Sequence, residues 1–498
     1  MDDRKISRRE FIVLSSIGFA ALISPWKGVG SAFALPSGAA VIDPPPGDIF
    51  EDPPEIQSVS AQKGIVEVSL EAKMAPLGMG GSTVNLMTFN GHFPAPTIRV
   101  RKGDRIRVRF KNYLPRTDRK NILGHVKNVT NLHVHGWHVS PSGNSDNIFV
   151  HINPGEEFLY EYDTSKQEAG TLGHYHTHHH GQVSEQKWGG LSGGALVVED
   201  ETEMLKGIET HILILKDISI EGGSPAPYTK QDYIYGKEGD IVMVNGQVNP
   251  VLSIRPGQVQ RWRILNASTA RYYKLALEGH ALHLIGTDGG LLDKPYPVSE
   301  ILLTPGERID VLIKADKGQG AYKFLSLPYD RKGGRIEKVT LMTVSCEGSL
   351  AKDRVPGAIN PEAKRLDMDI STLPRKKLYF IMANGRGLVN LKDYDEEPYV
   401  HTSRVGTYEV WEIINISPMD HPFHQHINAA QILSIKGGDK GYASLYTSIP
   451  AWKDNINIPF GGSVTMLVPV MDFTGRTVFH CHIVEHEDIG MMGIWEIV

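Results

Sequence analysis

Four pairs of histidines, each split by one residue, carry the chemistry of this sequence: His133/His135 in NLHVHGWH, His176/His178 in HYHTHHHG, His424/His426 in HPFHQH and His480/His482 in HCHIVEH. On a β-strand residues i and i+2 share a face, so each pair turns two imidazoles toward one point. Imidazole suits copper, zinc, iron and nickel, and eight imidazoles are too many for one ion but suit three. Cys481 stands between His480 and His482 and therefore faces the other side of the same strand. His421 precedes the third pair by three residues, His486 follows Cys481 by five, and Met491 follows His486 by five. One thiolate, two imidazoles and a weak thioether form the ligand set of a blue-copper electron-transfer site. Zinc prefers a closed tetrahedral set, and a soft thiolate selects copper over hard ions. An electron received at Cys481 has a short covalent route through the backbone to His480 and His482.

The elements that must hold these residues repeat three times. Phe89-Asn90-Gly91, Val244-Asn245-Gly246 and Ala383-Asn384-Gly385 are each followed by an alternating run, and Asn-Gly is a strong tight-turn signal. In the first run Ile106, Val108 and Phe110 alternate with Arg105, Arg107 and Arg109, the period of a half-buried strand. The arginines read as a solvated strand edge. A second set of runs follows (FLYEYD, RIDVLIKA, SVTMLVPV), then GTLGHYHTHHHG, GAYKFLSLPYD and GRTVFHCHIVEH. One sandwich repeated three times predicts an all-β chain of three units at 56–200, 201–350 and 366–498, with a linker over 351–365. Where the outer units carry His176/His178 and His480/His482, the middle one has Phe324 and Ser326. The metal chemistry then belongs to the first and third units, which must meet in space.

The 498 residues suit about three domains, with 41% hydrophobic and 22% charged residues and a net charge of -5. That modest charge favours neither a nucleic-acid surface nor a membrane surface, and no apolar run after the N-terminus is long enough to span a bilayer. Ser7-Arg8-Arg9-Glu10-Phe11, the apolar stretch Ile12 to Ile23, and Ala32-Phe33-Ala34 read as a twin-arginine export signal over residues 1–34, cut after Ala34. The destination is then the periplasm or the cell exterior, with no membrane attachment after cleavage. Residues 35–55 are rich in proline and read as a linker or an arm on the surface. Only two cysteines are present, and Cys481 belongs to the metal motif, so no disulfide is expected; Cys346 reads as a small buried hydrophobe.

At HVHG, HTHHHG, HPFHQH and HCHIVEHEDIGMM the sequence closely resembles the multicopper oxidases, the family of laccases, bilirubin oxidases and bacterial cuprous oxidases. The likeness runs through all three repeats. It implies three cupredoxin-like Greek-key β-sandwiches and four copper ions. By resemblance, His421, Cys481, His486 and Met491 hold the type 1 copper, and His133 and His424 the type 2 copper. His135, His176 and His482 would hold one type 3 copper; His178, His426 and His480 would hold the other. The alternating run His174, His176, His178, His180 also permits a register two residues away; the family form places the ligands at His176 and His178.

Reducing dioxygen to water consumes protons, and Glu487 and Asp146 are the candidate suppliers, the bland alternatives being a surface charge and a turn cap. Asp420, beside His421, is a candidate acceptor for a phenol, amine or metal-ion donor, or else it orients His421. The other histidines, His174 among them, read as loop, core or supporting groups, and Met491 is favoured over Met492 as axial ligand. The implied activity is laccase-like: four one-electron oxidations of a small reductant coupled to reduction of dioxygen to water. A methionine axial ligand points to an easily oxidised donor. The rivals are an oxidase of cuprous, ferrous or manganous ions, and a copper-free scaffold of the same fold.

Overall fold

A computed structural model of the chain describes residues 39–79, 82–199 and 204–498. The expected export signal lies outside the described residues. Among the described residues no helix is long and apolar enough to cross a membrane.

The three Asn-Gly pairs form tight turns in which both residues take positive φ: Asn90 and Gly91, Asn245 and Gly246, Asn384 and Gly385. This is the backbone that a type I′ turn demands and that Asn and Gly tolerate. Around each turn the same ladder recurs. A strand before it runs parallel to a strand after it: Ile65–Ala72 beside Arg105–Asn112, Glu209–Leu215 beside Gln260–Asn266, Arg375–Phe380 beside Val410–Asn415. The latter strands then pair antiparallel with Glu157–Asp163, Arg308–Lys314 and Ser463–Val470. The threefold repeat is thus visible in strand register as well as in residue types, and each repeat closes as two packed sheets.

Burial follows the expected alternation. Ile106, Val108 and Phe110 sit in the first core, while the intervening arginines reach across the sheet. Arg107 meets Glu161 at 2.9 Å and Arg109 meets Glu157 at 3.2 Å, and their strand is paired on both sides, so the basic residues form a paired face of the sheet rather than the expected edge. The proline-rich segment is an arm with structure of its own. Ala40–Ile42 adds a parallel strand to Glu337–Cys346 of the second sandwich, and Glu55 bridges to Thr97 of the first. Both cysteines are free and buried.

The second and third sandwiches share one continuous apolar core, in which Trp262 and Trp411 are both fully buried. The first docks on the third through two short helices, Val183–Gly189 and Val484–Asp488. The Asp488 carboxylate accepts hydrogen bonds from Gly181 N, Ser184 N and Ser184 Oγ at 2.6–2.8 Å, clasping the two units together.

Candidate metal centre

Strand pairing explains why the histidine pairs converge. In the first sandwich His133 lies opposite His176; in the third, His424 lies opposite His480. The two sandwiches face each other across an approximate twofold relation. His133 stacks on His426 with ring centroids 4.0 Å apart, and His135 stacks on His424 at 3.7 Å. The first residue of one pair meets the second of the other. All eight imidazoles are buried.

The ring nitrogens show what the pocket is built to hold. His133 Nδ1 donates to the Asp146 carboxylate at 3.0 Å, His176 Nδ1 to Thr177 O at 2.7 Å, His424 Nδ1 to Asp454 O at 2.9 Å, and His135 Nε2 to Asp454 Oδ1 at 3.1 Å. In each ring the other nitrogen has no partner: His133 Nε2, His176 Nε2, His424 Nε2 and His135 Nδ1. Fixing one nitrogen as donor leaves the other as a lone pair, the arrangement seen in metal-ligating histidines. His480 Nε2 lies 3.2 Å from both His178 Nε2 and His426 Nε2. That is close to the spacing of nitrogens around an ion bound at about 2.0–2.1 Å. Burial, the largest cause, holds His133, His135, His176, His178, His426 and His482 well below the ordinary histidine pKa, which favours the neutral form that can bind a metal.

Behind the strand Gly475–Cys481 lies the second pocket. His421 Nδ1, Cys481 Sγ and His486 Nδ1 stand 3.1–3.6 Å from one another. The outer nitrogens are tied down: His421 Nε2 by Ser417 Oγ, and His486 Nε2 donates to Ile234 O of the second sandwich at 3.1 Å. Met491 is fully buried beside them; its N–H donates to His486 O and its carbonyl accepts from Cys481 N. Gly387 admits it, since a Cβ there would sit 2.6 Å from Met491 Cβ. Burial pushes the Cys481 thiol well above its ordinary pKa, and a bound cation would favour its thiolate.

The candidate carboxylates divide. Asp146 receives His133 Nδ1 and Val134 N, and burial raises it to about 7. Glu487 is fully buried, 3.1 Å from His480 Nδ1 and 3.4 Å from His178 Nδ1. Burial works against the charge on Glu487, while the His178 and His480 nitrogens facing it favour the carboxylate and leave it below its ordinary range. Neither acid is a surface charge or a simple turn cap. Asp420 is held differently from these two acids. It is 3% exposed, its oxygens take Tyr329 Oη, Asn457 Nδ2 and Phe460 N, and no hydrogen bond reaches His421. These bonds tie it to two segments, one at Tyr329 and one over Asn457 and Phe460, beside the thiol pocket.

The sequence reading also passed over Arg308. This buried guanidinium of the second sandwich donates to both Asp454 oxygens and to Leu172 O. Asp454 in turn fixes His135 of the first sandwich and, through its carbonyl, His424 of the third. The middle sandwich supplies no imidazole but locks those of its neighbours. Gly136 of HVHG makes room: with φ +84, a Cβ there would lie 1.9 Å from Arg308 Nη2.

Three family models, each described as multicopper oxidase, match residues 72–203, 173–343 and 365–497. A multicopper oxidase of Staphylococcus aureus is 30% identical over 83% of this chain and 84% of its own length. The chain belongs to the multicopper oxidase family. A laccase of Bacillus subtilis is 28% identical over 87% of this chain and 94% of its own. Among solved structures, a multicopper oxidase from Campylobacter jejuni described as a metallo-oxidase superposes with a TM-score of 0.77 at 29% identity, over 93% of this chain and 98% of that one. As a multicopper oxidase this chain is a copper-dependent oxidoreductase that takes electrons from a reductant and uses dioxygen as acceptor. Its unpartnered lone pairs and buried thiol fit copper.

Proposed function

We propose that the chain is an exported laccase-like oxidase holding four copper ions, one in the thiolate pocket and three among the imidazoles. His421, Cys481, His486 and Met491 serve the type 1 ion. His133 and His424 serve the type 2 ion; His135, His176 and His482, and His178, His426 and His480, serve the two type 3 ions. Bound copper supplies one-electron acceptance in the first pocket and dioxygen reduction in the second. The supporting observation is the shared strand: Cys481 faces His421 and His486 while His480, next in the chain, faces His178 and His426.

The surrounding residues have separable tasks. Ser417 and the Ile234 carbonyl keep His421 and His486 oriented. Glu487 and Asp146, buried against ligand imidazoles, move protons toward the oxygen pocket. A cavity of about 560 Å³ lined by Gly136, His138, Gln167, Trp452 and Asp454 gives solvent and dioxygen a way toward it. The donor is a phenol, an aromatic amine or a similar small reductant. One observation favours a metal-ion donor as a second reading: both thiolate-pocket imidazoles are buried with their outer nitrogens engaged, which leaves little aromatic contact at their edges. Turnover on cuprous ion and on 2,6-dimethoxyphenol, each followed by dioxygen uptake, separates the two. A ratio of four electrons per dioxygen with a phenol supports the laccase-like reading; uptake with cuprous ion alone removes it. The export part is tested by the processed N-terminus, expected at Leu35.

A further inference from the structure

His174 is an imidazole without a job in the family's eight-histidine pattern. It lies on the strand Leu172–His176, directly opposite His135 and two residues before His176, so it shares their face. It is 1% exposed, and neither Nδ1 nor Nε2 has a hydrogen-bond partner. Its ring centroid is 4.2 Å from that of His135 and 5.1 Å from that of His176. One ligand atom from each of His135, His174, His176 and His482 can be chosen so that all lie within 4.8 Å of one another. The twofold relation sharpens the contrast. His176 corresponds to His480, so His174 corresponds to Val478, which packs against Ile148 and Met492. The third sandwich fills this position with an apolar side chain; the first fills it with a buried group that needs a partner and has none.

We propose that His174 is a ninth imidazole of the trinuclear centre, completing a four-nitrogen set with His135, His176 and His482. The two type 3 sets are then unequal. One set would offer three protein nitrogens, from His178, His426 and His480, and the other four, with His174 among them. This rests on the copper assignment made above, and the tests separate the two.

The direct test is a crystal structure of the copper-loaded protein with anomalous data at the copper edge. The expected result is a His174 nitrogen within about 2.0–2.3 Å of the ion held by His135, His176 and His482. A His174 ring more than about 3 Å from every copper overturns the inference, whatever the other ligands do. A protein that takes up no copper overturns the oxidase reading instead. In parallel, His174→Phe and His174→Gln are dialysed against bathocuproine disulfonate with ascorbate and their copper counted. Loss of one ion at a chelator concentration at least about tenfold below that needed for the parent is expected. The blue band, which belongs to the other pocket, reports that the variants are folded. Copper retention equal to the parent in folded variants contradicts the proposal.

Discussion

The same strand position in the first and third sandwiches has two fates. In the third, Cys481 lies between two cluster histidines and faces His421 and His486. In the first, Thr177 lies between His176 and His178, and its hydroxyl faces Thr130 and Gln186. Thr130 precedes His133 by three residues, as His421 precedes His424. Thr130 Oγ1 and Thr177 Oγ1 are 3.0 Å apart, and both donate toward Gln186 Oε1 at 2.7 and 2.6 Å. Gln186 Nε2 then closes on Val129 O. The first sandwich fills with a neutral hydrogen-bond knot the space where the third holds a soft metal site. Two nearly symmetric sandwiches thus build one imidazole pocket jointly but, among the described residues, one thiol pocket; on the proposed assignment of the coppers, electrons would have a single route into the cluster.

The largest expected effect comes from severing what ties the two sides together. Arg308→Met leaves the Asp454 carboxylate buried without its guanidinium partner, a loss of about 3–5 kcal/mol. A markedly lower thermal midpoint with loss of copper from the imidazole pocket is expected; an unchanged melt would show that the sandwiches hold their histidines without the middle one. Asp146→Ala removes the acceptor that orients His133. Copper affinity at the imidazole pocket should fall about 10–100-fold while the blue band keeps its intensity, and equilibrium dialysis with visible spectroscopy reads both. Gln186→Leu strips the acceptor from the threonine knot of the first sandwich. A cost of about 1–3 kcal/mol is expected in denaturant unfolding, with full copper content and turnover; lost turnover would mean the knot has a role in electron or proton transfer. Ser417→Ala, the mildest, removes one hydrogen bond from His421, worth about 0.5–1.5 kcal/mol. It should shift the blue band and the reduction potential slightly without releasing copper.

Much of this was legible in residue types because it depends on local periods. Asn-Gly turns, alternating runs such as Ile106 to Phe110, and histidines two apart all report one strand at a time. The parts that were not legible depend on partners far apart in sequence. Arg308 meets Asp454 across 146 residues, and nothing near either marks the pairing. Asp420 beside His421 suggested a donor contact, yet Tyr329 and Phe460, from distant segments, had already engaged its oxygens. Period-two reasoning put His174, His176, His178 and His180 on equivalent footing, and only the opposing strand shows which of them look into the pocket. The arm at Ala40–Ile42 was hidden by its prolines, which flank the short strand without entering it.

The central claim is that one strand serves both pockets while their contents remain separable. Copper counting and visible spectroscopy on Cys481→Ser, beside the parent, test it most directly. The account predicts about three coppers per chain, no blue band and no turnover of any reductant. A variant that keeps the blue band, or that loses all its copper together, would contradict it.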